Sequence, residues 1–452
     1  MLKSNSRIRS FLRPSAVDFL EHAAGSIERI LPHVEISAWR QGQFRQTSSV
    51  WDSPGRTAIR VTIGIHAADP TDSRSLVALV QRKGVPATGQ LGRRTLDMRE
   101  FDLCKRIAFG ISSVLRDQAT SSYLRPIRDA FDETIVADHI KSHHGLQMQI
   151  GDVMDAMQKL SQETYENKSI NFGCILDPNK RTSGESVIFP HRLLTSKKHK
   201  ALSDGFRTAY HVTTDGVLCG FVDLDRFEKS PTSGHNYYPE WVSAIAKASR
   251  NNRCGICLSR QGDILVFDGG TLRFTYRYGR WQYWNHRHIV TLLKERARAQ
   301  HVRPAVVGKV VATIYRVALD VSFRRCGGLF VVLRNAMLLS QIVRRGDALG
   351  DTERNVADQQ LDSILRNRKI QFLPRSVLVD LSSLDGAVVI NNNGQILAYG
   401  AILDPKKRGR IRGTEGSRTK AAIGASNYGL SVKISSDGDI TVYHRGKEFL
   451  RV

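Results

Sequence analysis

The chain has 452 residues, of which 41% are hydrophobic and 24% are charged. These fractions are close to globular averages, and they exclude a chain that is disordered throughout. A chain of this length is expected to form two or three domains. The formal net charge of +24 indicates affinity for nucleic acid, affinity for nucleotide phosphates, or a solubilising surface of Arg and Lys, and charge alone does not distinguish these three.

Two features argue against secretion and against a membrane span. Residues 1–14 are basic but have no apolar run behind them, which is not the pattern of a secretory signal. The most apolar stretch, residues 327–343, is interrupted by Arg334, Asn335 and Gln341. We therefore expect a cytoplasmic protein with no membrane segment.

Neither the cysteines nor the adjacent histidines predict a metal site. Cys254 and Cys257 form a lone CxxC, and no second pair of ligands completes a zinc site. His143 and His144 are neighbours, so in a regular helix or strand their side chains are expected to point apart. Both groups are interpreted as structural.

Residues 1–150 are predicted to be an α+β region of unknown role. Apolar positions at steps of three and four residues predict helices over 15–36 and 101–116. Residues 58–67 alternate and are rich in β-branched side chains, which is typical of a strand.

A small β-rich, sensor-like module is predicted over residues 151–235. A short helix is followed by apolar strands, and Asp215-Gly216 marks a hairpin turn within residues 210–222. Residues 227–239 contain Ser, Gly and Pro and are the best candidate for a domain boundary.

The third predicted domain covers residues 240–452. Residues 253–273 have the pattern of a β-meander. Aromatic residues 281, 283 and 284 lie among arginines, and such aromatics either stack nucleic-acid bases or form cross-strand pairs. Cross-strand pairing is the favoured interpretation.

The core of this third domain is predicted over residues 307–452. Helical spacing over residues 307–323 precedes the apolar strand 329–333, and a helix over 356–368 precedes an apolar strand over 377–381. This alternation predicts the α/β class, with a mixed β-sheet flanked by helices and preceded by the α+β modules.

The residues with the clearest chemistry follow this core. Asp385-Gly386-Ala387 begins a predicted strand, where an acid beside glycine can hold a divalent metal close to a ligand. The segment Gly416-Ser417-Arg418-Thr419-Lys420 opens an Ala-rich helix and offers backbone N–H groups, hydroxyls and two cations. Such a turn is a phosphate cradle. An acid and a cradle are the minimal parts of nucleotidyl transfer.

The two motifs together resemble those of the diadenylate cyclase domain family. That domain is marked by Asp-Gly-Ala, followed by Gly-x-Arg-His-Arg-Ala-Ala-x-Gly-x-Ser. Here the first motif is intact at Asp385, and the second corresponds to residues 416–426. The resemblance covers the last third of the chain. It implies that this part has the diadenylate-cyclase-like fold.

The resemblance implies a function and a set of site residues. It implies that two ATP are condensed into cyclic di-AMP by a homodimer or a higher homo-oligomer. Asp385 would bind Mg²⁺ or Mn²⁺ and act in catalysis with Arg418 and Lys420. The nucleotide would contact residues of both motifs: Gly386, Ala387, Gly416, Ser417, Arg418, Thr419, Lys420 and Ser426.

Departures from the family pattern keep two alternatives open. Thr419 replaces the family's histidine, Lys420 replaces its second arginine, and Asn427 replaces an acidic residue. The downstream Ser-Glu-Glu-Thr-Gly stretch is shortened to Ser435-Ser436-Asp437-Gly438. The first alternative is an inactive sensor of a nucleotide or second messenger with the same fold. The second is a basic protein that binds nucleic acid.

The sequence also contains a repeated peptide, an internal sequence echo. Residues 173–181 (GCILDPNKR) and 400–408 (GAILDPKKR) are nearly the same, and each is followed by Gly-x-Arg-Thr. The echo indicates either a duplicated, degenerate half or two unrelated apolar strands that end in an Asp-Pro turn. The second interpretation is the simpler one.

Overall fold

The structure is a computed structural model that describes most of the chain. The described residues are 14–37, 40–43, 59–66, 73–82, 96–116, 124–180, 189–190, 202–228, 237–298, 302–344, 346–351, 356–366, 368–406 and 416–452. None of the helices in these ranges has both the length and the apolar character needed to cross a lipid bilayer. The cationic loop from Lys407 to Arg412 lies outside the described residues.

Contacts divide the chain into two compact units. The N-terminal unit comprises Met1–Asn236 and Trp241–Trp284, and the C-terminal unit comprises Tyr237–Glu240 and Asn285–Val452. Both combine helices with a mixed β-sheet, so the predicted fold class is confirmed.

The described helices and strands of the N-terminal unit are as follows. The helices are α1 (Pro14–Ala24), α2 (Ser26–Ile30), α3 (Met98–Arg116), α4 (Leu124–His144), α5 (Ile150–Ser161), α6 (Asp225–Glu228) and α7 (Ser243–Ala248). The strands are β1 (Val34–Ile36), β2 (Arg40–Gln43), β3 (Ile59–His66), β4 (Ser73–Arg82), β5 (Thr164–Tyr165), β6 (Lys168–Ser169), β7 (Phe172–Asp177), β8 (Thr208–Thr213), β9 (Leu218–Asp223), β10 (Cys254–Leu258), β11 (Ile264–Asp268), β12 (Thr271–Arg277) and β13 (Arg280–Tyr283).

The predicted helix over residues 15–36 is wrong beyond Ile30. The helical segments end at Ile30, and residues 34–36 form strand β1. Pro32 has no backbone N–H to continue a helix, which explains the early end. The predicted helix near 101–116 and the predicted strand near 58–67 are both present, as α3 and β3.

The larger sheet of the N-terminal unit has seven strands in the order β13-β12-β11-β10-β7-β8-β9. Strand β10 pairs with β7, so strands on both sides of the predicted boundary at 235–240 belong to one sheet. Trp281, Tyr283 and Trp284 are buried, and Tyr276 faces Trp281 across β12 and β13 with ring centroids 5.2 Å apart. Cross-strand pairing of these aromatics is confirmed, and their rings are not presented for base stacking.

The C-terminal unit contains five described α-helices and six described strands. The helices are α8 (His286–Arg296), α9 (Pro304–Phe323), α10 (Val356–Leu365), α11 (Arg375–Ser383) and α12 (Ser417–Ala425). The strands are β14 (Gly328–Leu333), β15 (Ala387–Asn391), β16 (Ile396–Ala401), β17 (Gly429–Ile434), β18 (Ile440–His444) and β19 (Lys447–Arg451).

The six strands form one mixed sheet in the order β16-β15-β14-β17-β18-β19. Strands β14 and β15 are parallel, and each of the other neighbouring pairs is antiparallel. Leu329, Val331 and Leu333 alternate along β14 and pack against the buried alanines of α12. Helices α9 and α11 lie on the opposite face, where Val321 and Ser382 approach Gly328.

The strand predicted over residues 377–381 is wrong, because this segment lies in helix α11. A short apolar run does not distinguish a buried strand from one face of a helix. Pro374 occupies the N-cap position, and the helix buries Leu378, Val379 and Leu381. Helix α11 ends two residues before Asp385, which lies just ahead of β15.

Candidate functional site

Asp385 is held outward by a glycine turn at the entrance to β15. Helix α11 ends at Ser383, and Gly386 follows Asp385 with φ +117°. This backbone conformation is rarely accessible to residues with a side chain. A Cβ on Gly386 would also collide with the backbone of Gly400 on β16. The turn therefore requires glycine, and the carboxylate of Asp385 is fully exposed to solvent.

The cationic segment forms the first turn of helix α12, as predicted. Gly416 is extended and occupies the N-cap position, and the N–H groups of Thr419 and Lys420 donate to its carbonyl oxygen at 3.0 and 3.1 Å. The first turn contains no acidic residue. Glycine has no side chain to cap the helix, so the positive end of the helix dipole faces solvent beside Ser417.

The tertiary structure brings Arg418 to Asp385. The Nη2 atom of Arg418 lies 3.8 Å from Oδ1 of Asp385. The guanidinium also lies against the backbone of Gly327, where a Cβ atom would collide with Nη1. Three segments that are distant in sequence thus meet at one exposed, charged surface: the start of β14, the start of β15 and the N-terminus of α12.

Other predicted site residues differ in their exposure. Ser417 and Lys420 are exposed, and Thr419 is half-buried. Ala387 is 2% exposed and pairs with Ala401 of β16, so its side chain contributes to the core beneath the site.

Ser426 lies at the opposite end of α12 from the cationic turn and is buried. Its hydroxyl donates to the carbonyl of Ile423 at 2.7 Å and accepts from the N–H of Gly446 at 2.9 Å. These bonds tie the helix end to the turn between β18 and β19. Nine helical residues extend about 13 Å, which separates this hydroxyl from the cradle.

Lys433 is a cation near the site that the sequence analysis missed. It is half-buried on β17, where it pairs with Leu329 of β14 on the α12 face of the sheet. Burial lowers the pKa of Lys433, and the positive charges of Arg451 and Arg418 act in the same direction. A lysine within a strand whose other residues are apolar or small, residues 429–434, is the signal that marks it.

Among the described residues of the predicted site, Asp385 alone has a carboxylate, so a divalent metal there would need oxygens from other groups. Mg²⁺ characteristically retains waters and binds one or two carboxylates together with substrate phosphates. An exposed carboxylate beside a phosphate cradle fits that requirement. Asp385 and the first turn of α12 are therefore the residues that would hold a metal and a triphosphate.

The structure corrects the prediction that His143 and His144 point apart. Their ring centroids are 4.9 Å apart, and both side chains approach Asp268 of β11. Among the described residues, these three form the one group with metal-ligand potential. The guanidinium of Arg99, however, pairs with Asp268 and lies 2.9 Å from Nε2 of His143. The cluster is thus a partly buried charge network that already contains a cation.

Comparison with known proteins finds a family model that matches part of the C-terminal unit. Residues 317–448 match the family model described as "DAC: DisA bacterial checkpoint controller nucleotide-binding". No curated protein matches the chain.

Two solved structures are among those similar to the chain. A hypothetical membrane spanning protein from Bacillus cereus is 22% identical, covers 37% of this chain and 76% of its own, and has a TM-score of 0.25. A double mutant of DacA from Staphylococcus aureus is 23% identical, covers 32% of this chain and 87% of its own, and has a TM-score of 0.21. The matched residues 317–448 include the Asp385 turn, all of helix α12 and the strands between which they lie, and this segment is named the DAC domain after that match.

Proposed function

We propose that the DAC domain binds ATP and condenses two ATP molecules into cyclic di-AMP, with one ATP held by each protomer of a homodimer. The observation that carries the proposal is the approach of Arg418 to Asp385 at the N-terminus of α12, 3.8 Å apart. A cation, a carboxylate and a helix N-terminus on one exposed surface form the minimum arrangement for positioning a nucleoside triphosphate.

Each part of the site has a role in this proposal. Arg418, Lys420 and the N–H groups of the first turn of α12 bind the triphosphate, with Thr419 and Ser417 offering hydroxyls. Asp385 holds Mg²⁺ or Mn²⁺ and orients the attacking 3′-hydroxyl. The metal, when bound, neutralises phosphate charge and polarises the phosphorus centre. Gly386 allows the nucleotide to approach the backbone, and buried Ser426 positions the helix from its other end.

The exposed position of Asp385 supports assembly of two protomers. The carboxylate of Asp385 is fully exposed to water, which weakens its electrostatic interactions. A second protein surface that covered it would exclude water and strengthen those interactions. Leu384 and Ile402 near it are 45% and 55% exposed, which provides apolar surface for such a cover. A homodimer would bring two equivalent sites together.

A second candidate function is nucleotide binding without turnover. It is favoured by the ion pair itself, because Arg418 neutralises the one carboxylate of the predicted site. Lys420 also lacks the bidentate fork of the arginine that the family has at this position. In this case the domain would be a sensor of ATP or of a cyclic dinucleotide.

The test is incubation of the full chain with ATP and Mn²⁺ or Mg²⁺, followed by mass spectrometry of the products. Cyclic di-AMP is expected from the wild-type chain and not from Asp385→Asn. Asp380→Asn is the matched control, because Asp380 is an exposed carboxylate on α11 that pairs with Arg324 at 3.9 Å and lies before the turn. ATP binding without product from a folded dimer would favour the sensor. Absence of nucleotide binding would refute both.

A further inference from the structure

The larger sheet of the N-terminal unit has the same topology as the sheet of the DAC domain. Its first six strands read β9-β8-β7-β10-β11-β12, and the DAC sheet reads β16-β15-β14-β17-β18-β19. The central pair is parallel in each, β7 with β8 and β14 with β15. The four remaining neighbouring pairs are antiparallel in each. Strand β13 is an addition at one edge.

The pairing register is also the same. One row across the N-terminal sheet contains Tyr210, Cys174, Ile256, Val266 and Phe274, and one row across the DAC sheet contains Val388, Phe330, Val432, Val442 and Leu450. Both sheets have an irregularity at the same place, between Val266 and Phe267 in one and between Val442 and Tyr443 in the other. Equal strand order does not require equal register or equal bulges, so these are independent points of agreement.

The turns of the first matching hairpin are closed by the same hydrogen bonds. The turn after β10 runs from Ser259 to Asp263, and the turn after β17 runs from Ser435 to Asp439. In each, the serine N–H donates to the aspartate carbonyl, and the aspartate N–H donates to the serine hydroxyl at 3.1 Å. Each turn also has a glycine with positive φ before the aspartate.

The second hairpin and the flanking helices agree as well. Two residues with positive φ join β11 to β12 and β18 to β19, Gly269-Gly270 and Arg445-Gly446. Helix α7 packs on the Ile175 face of β7 just as α12 packs on the Val331 face of β14. Each helix ends at a buried serine, Ser249 or Ser426, whose hydroxyl donates to the carbonyl three residues before it.

The internal sequence echo does not follow this correspondence. Residues 173–181 begin on β7, which matches β14, whereas residues 400–408 begin on β16. The Gly-x-Arg-Thr repeats are also unmatched, because residues 205–208 lead into β8, which begins at Thr208, and residues 416–419 lead into α12, which begins at Ser417. The structural correspondence therefore rests on strand order, register and turns rather than on the repeated peptides.

At the site, the two sheets differ in chemistry. Matching Ser249 with Ser426 places Trp241 at the position of Arg418 and Ser243 at that of Lys420. The register places Arg207 at the position of Asp385. In place of an ion pair, Trp241 at the Arg418 position contacts Phe206, the residue before Arg207, with ring centroids 5.2 Å apart. The nearby carboxylate of Asp204 is already engaged, because it accepts from the N–H groups of Phe206, Arg207 and Thr208.

We propose that residues 150–277 are a second, degenerate copy of the DAC fold whose triphosphate site has been replaced by an aromatic contact. The chain then carries two copies of one fold and a single nucleotide site. The correspondence of the strands does not depend on the proposed function of the DAC domain. The prediction that each chain binds one nucleotide does rest on that proposed function.

The decisive experiment is a crystal structure of the full chain grown with a non-hydrolysable ATP analogue. The expected result is superposition of the six matched strands in the two sheets, with analogue beside Arg418 and none beside Trp241. A different strand order for residues 172–277, or analogue bound at Trp241, would overturn the inference. A structure with matching strands and no analogue in either sheet would refute the proposed function and leave the degenerate copy supported.

Calorimetry in solution provides a second measurement. About one analogue per chain is expected for the wild type. The double variant Arg418→Ala/Lys420→Ala should lose all binding, and Trp241→Ala should keep the wild-type affinity. Two sites per chain, or a site that survives the double variant and is lost with Trp241→Ala, would show that the N-terminal copy still binds nucleotide.

Discussion

The guanidinium of Arg375 pairs with the buried carboxylate of Asp320, which ties the first turn of α11 to helix α9. Arg375 also donates to the carbonyls of Tyr238 and Arg316 at 2.8 and 2.9 Å. Asp320 in turn accepts from the N–H of Glu240 at 2.6 Å. Helix α11, which leads to Asp385 at its C-terminal end, is thus anchored at its N-terminal end by the ion pair of Arg375 with buried Asp320.

Breaking this pair is expected to destabilise the protein strongly. Arg375→Met leaves the buried carboxylate of Asp320 without its cation, and such a loss typically costs about 3–5 kcal/mol. Urea unfolding of the full chain measures the change in the free energy of unfolding. Arg324→Met is the matched control, because Arg324 and Asp380 are both exposed and 3.9 Å apart, and exposed pairs contribute about 1 kcal/mol or less. Equal effects of the two substitutions would contradict the anchoring role.

Gly386→Ala is expected to disturb the turn that carries Asp385. A side chain at φ +117° costs about 1–3 kcal/mol of strain, and its Cβ collides with Gly400. The expected result is a lower melting temperature together with loss of product formation. Gly416→Ala is the control, since its Cβ would meet nothing within 4 Å and its φ is −63°. A Gly386→Ala variant as stable as Gly416→Ala would argue against a strained turn.

Ser426→Ala separates a structural role from direct nucleotide contact. The substitution leaves the N–H of Gly446 without its acceptor and is expected to cost about 1–3 kcal/mol of stability. The affinity for ATP should change little, because the hydroxyl is buried at the far end of α12. Thermal unfolding and calorimetric titration measure the two quantities. A large loss of affinity with unchanged stability would instead place Ser426 against the nucleotide.

The DAC domain is expected to lose stability on acidification through His444. Burial lowers the pKa of His444 to about 4, with further lowering by Arg296, Arg445 and Arg334. The unfolded chain takes up this proton near its ordinary value of 6.5, so the unfolded state gains relative stability as pH falls from about 6.5 to about 4. His444→Gln should therefore show a smaller drop in melting temperature between pH 7.5 and pH 5 than the wild type. Parallel curves for the two proteins would refute this contribution.

The sequence by itself determined the local structure of the candidate site. Helix α12 and strand β15 were predicted close to their observed positions, because each depends on a contiguous pattern of apolar residues and on glycine at its start. The cationic first turn follows from the same short segment. The strand predicted over residues 377–381 was wrong for a related reason, since a run of four apolar residues and one aspartate is compatible with a buried strand and with a helix face.

The tertiary structure alone decided which segments meet. The approach of Arg418 to Asp385, its contact with Gly327 and the nearby Lys433 depend on β14 lying between β15 and β17. The pattern of a strand shows which face is buried, but it does not specify the neighbouring strand or the register. For the same reason the repeated peptides were visible in the sequence, whereas the duplicated sheet became apparent only from its pairing.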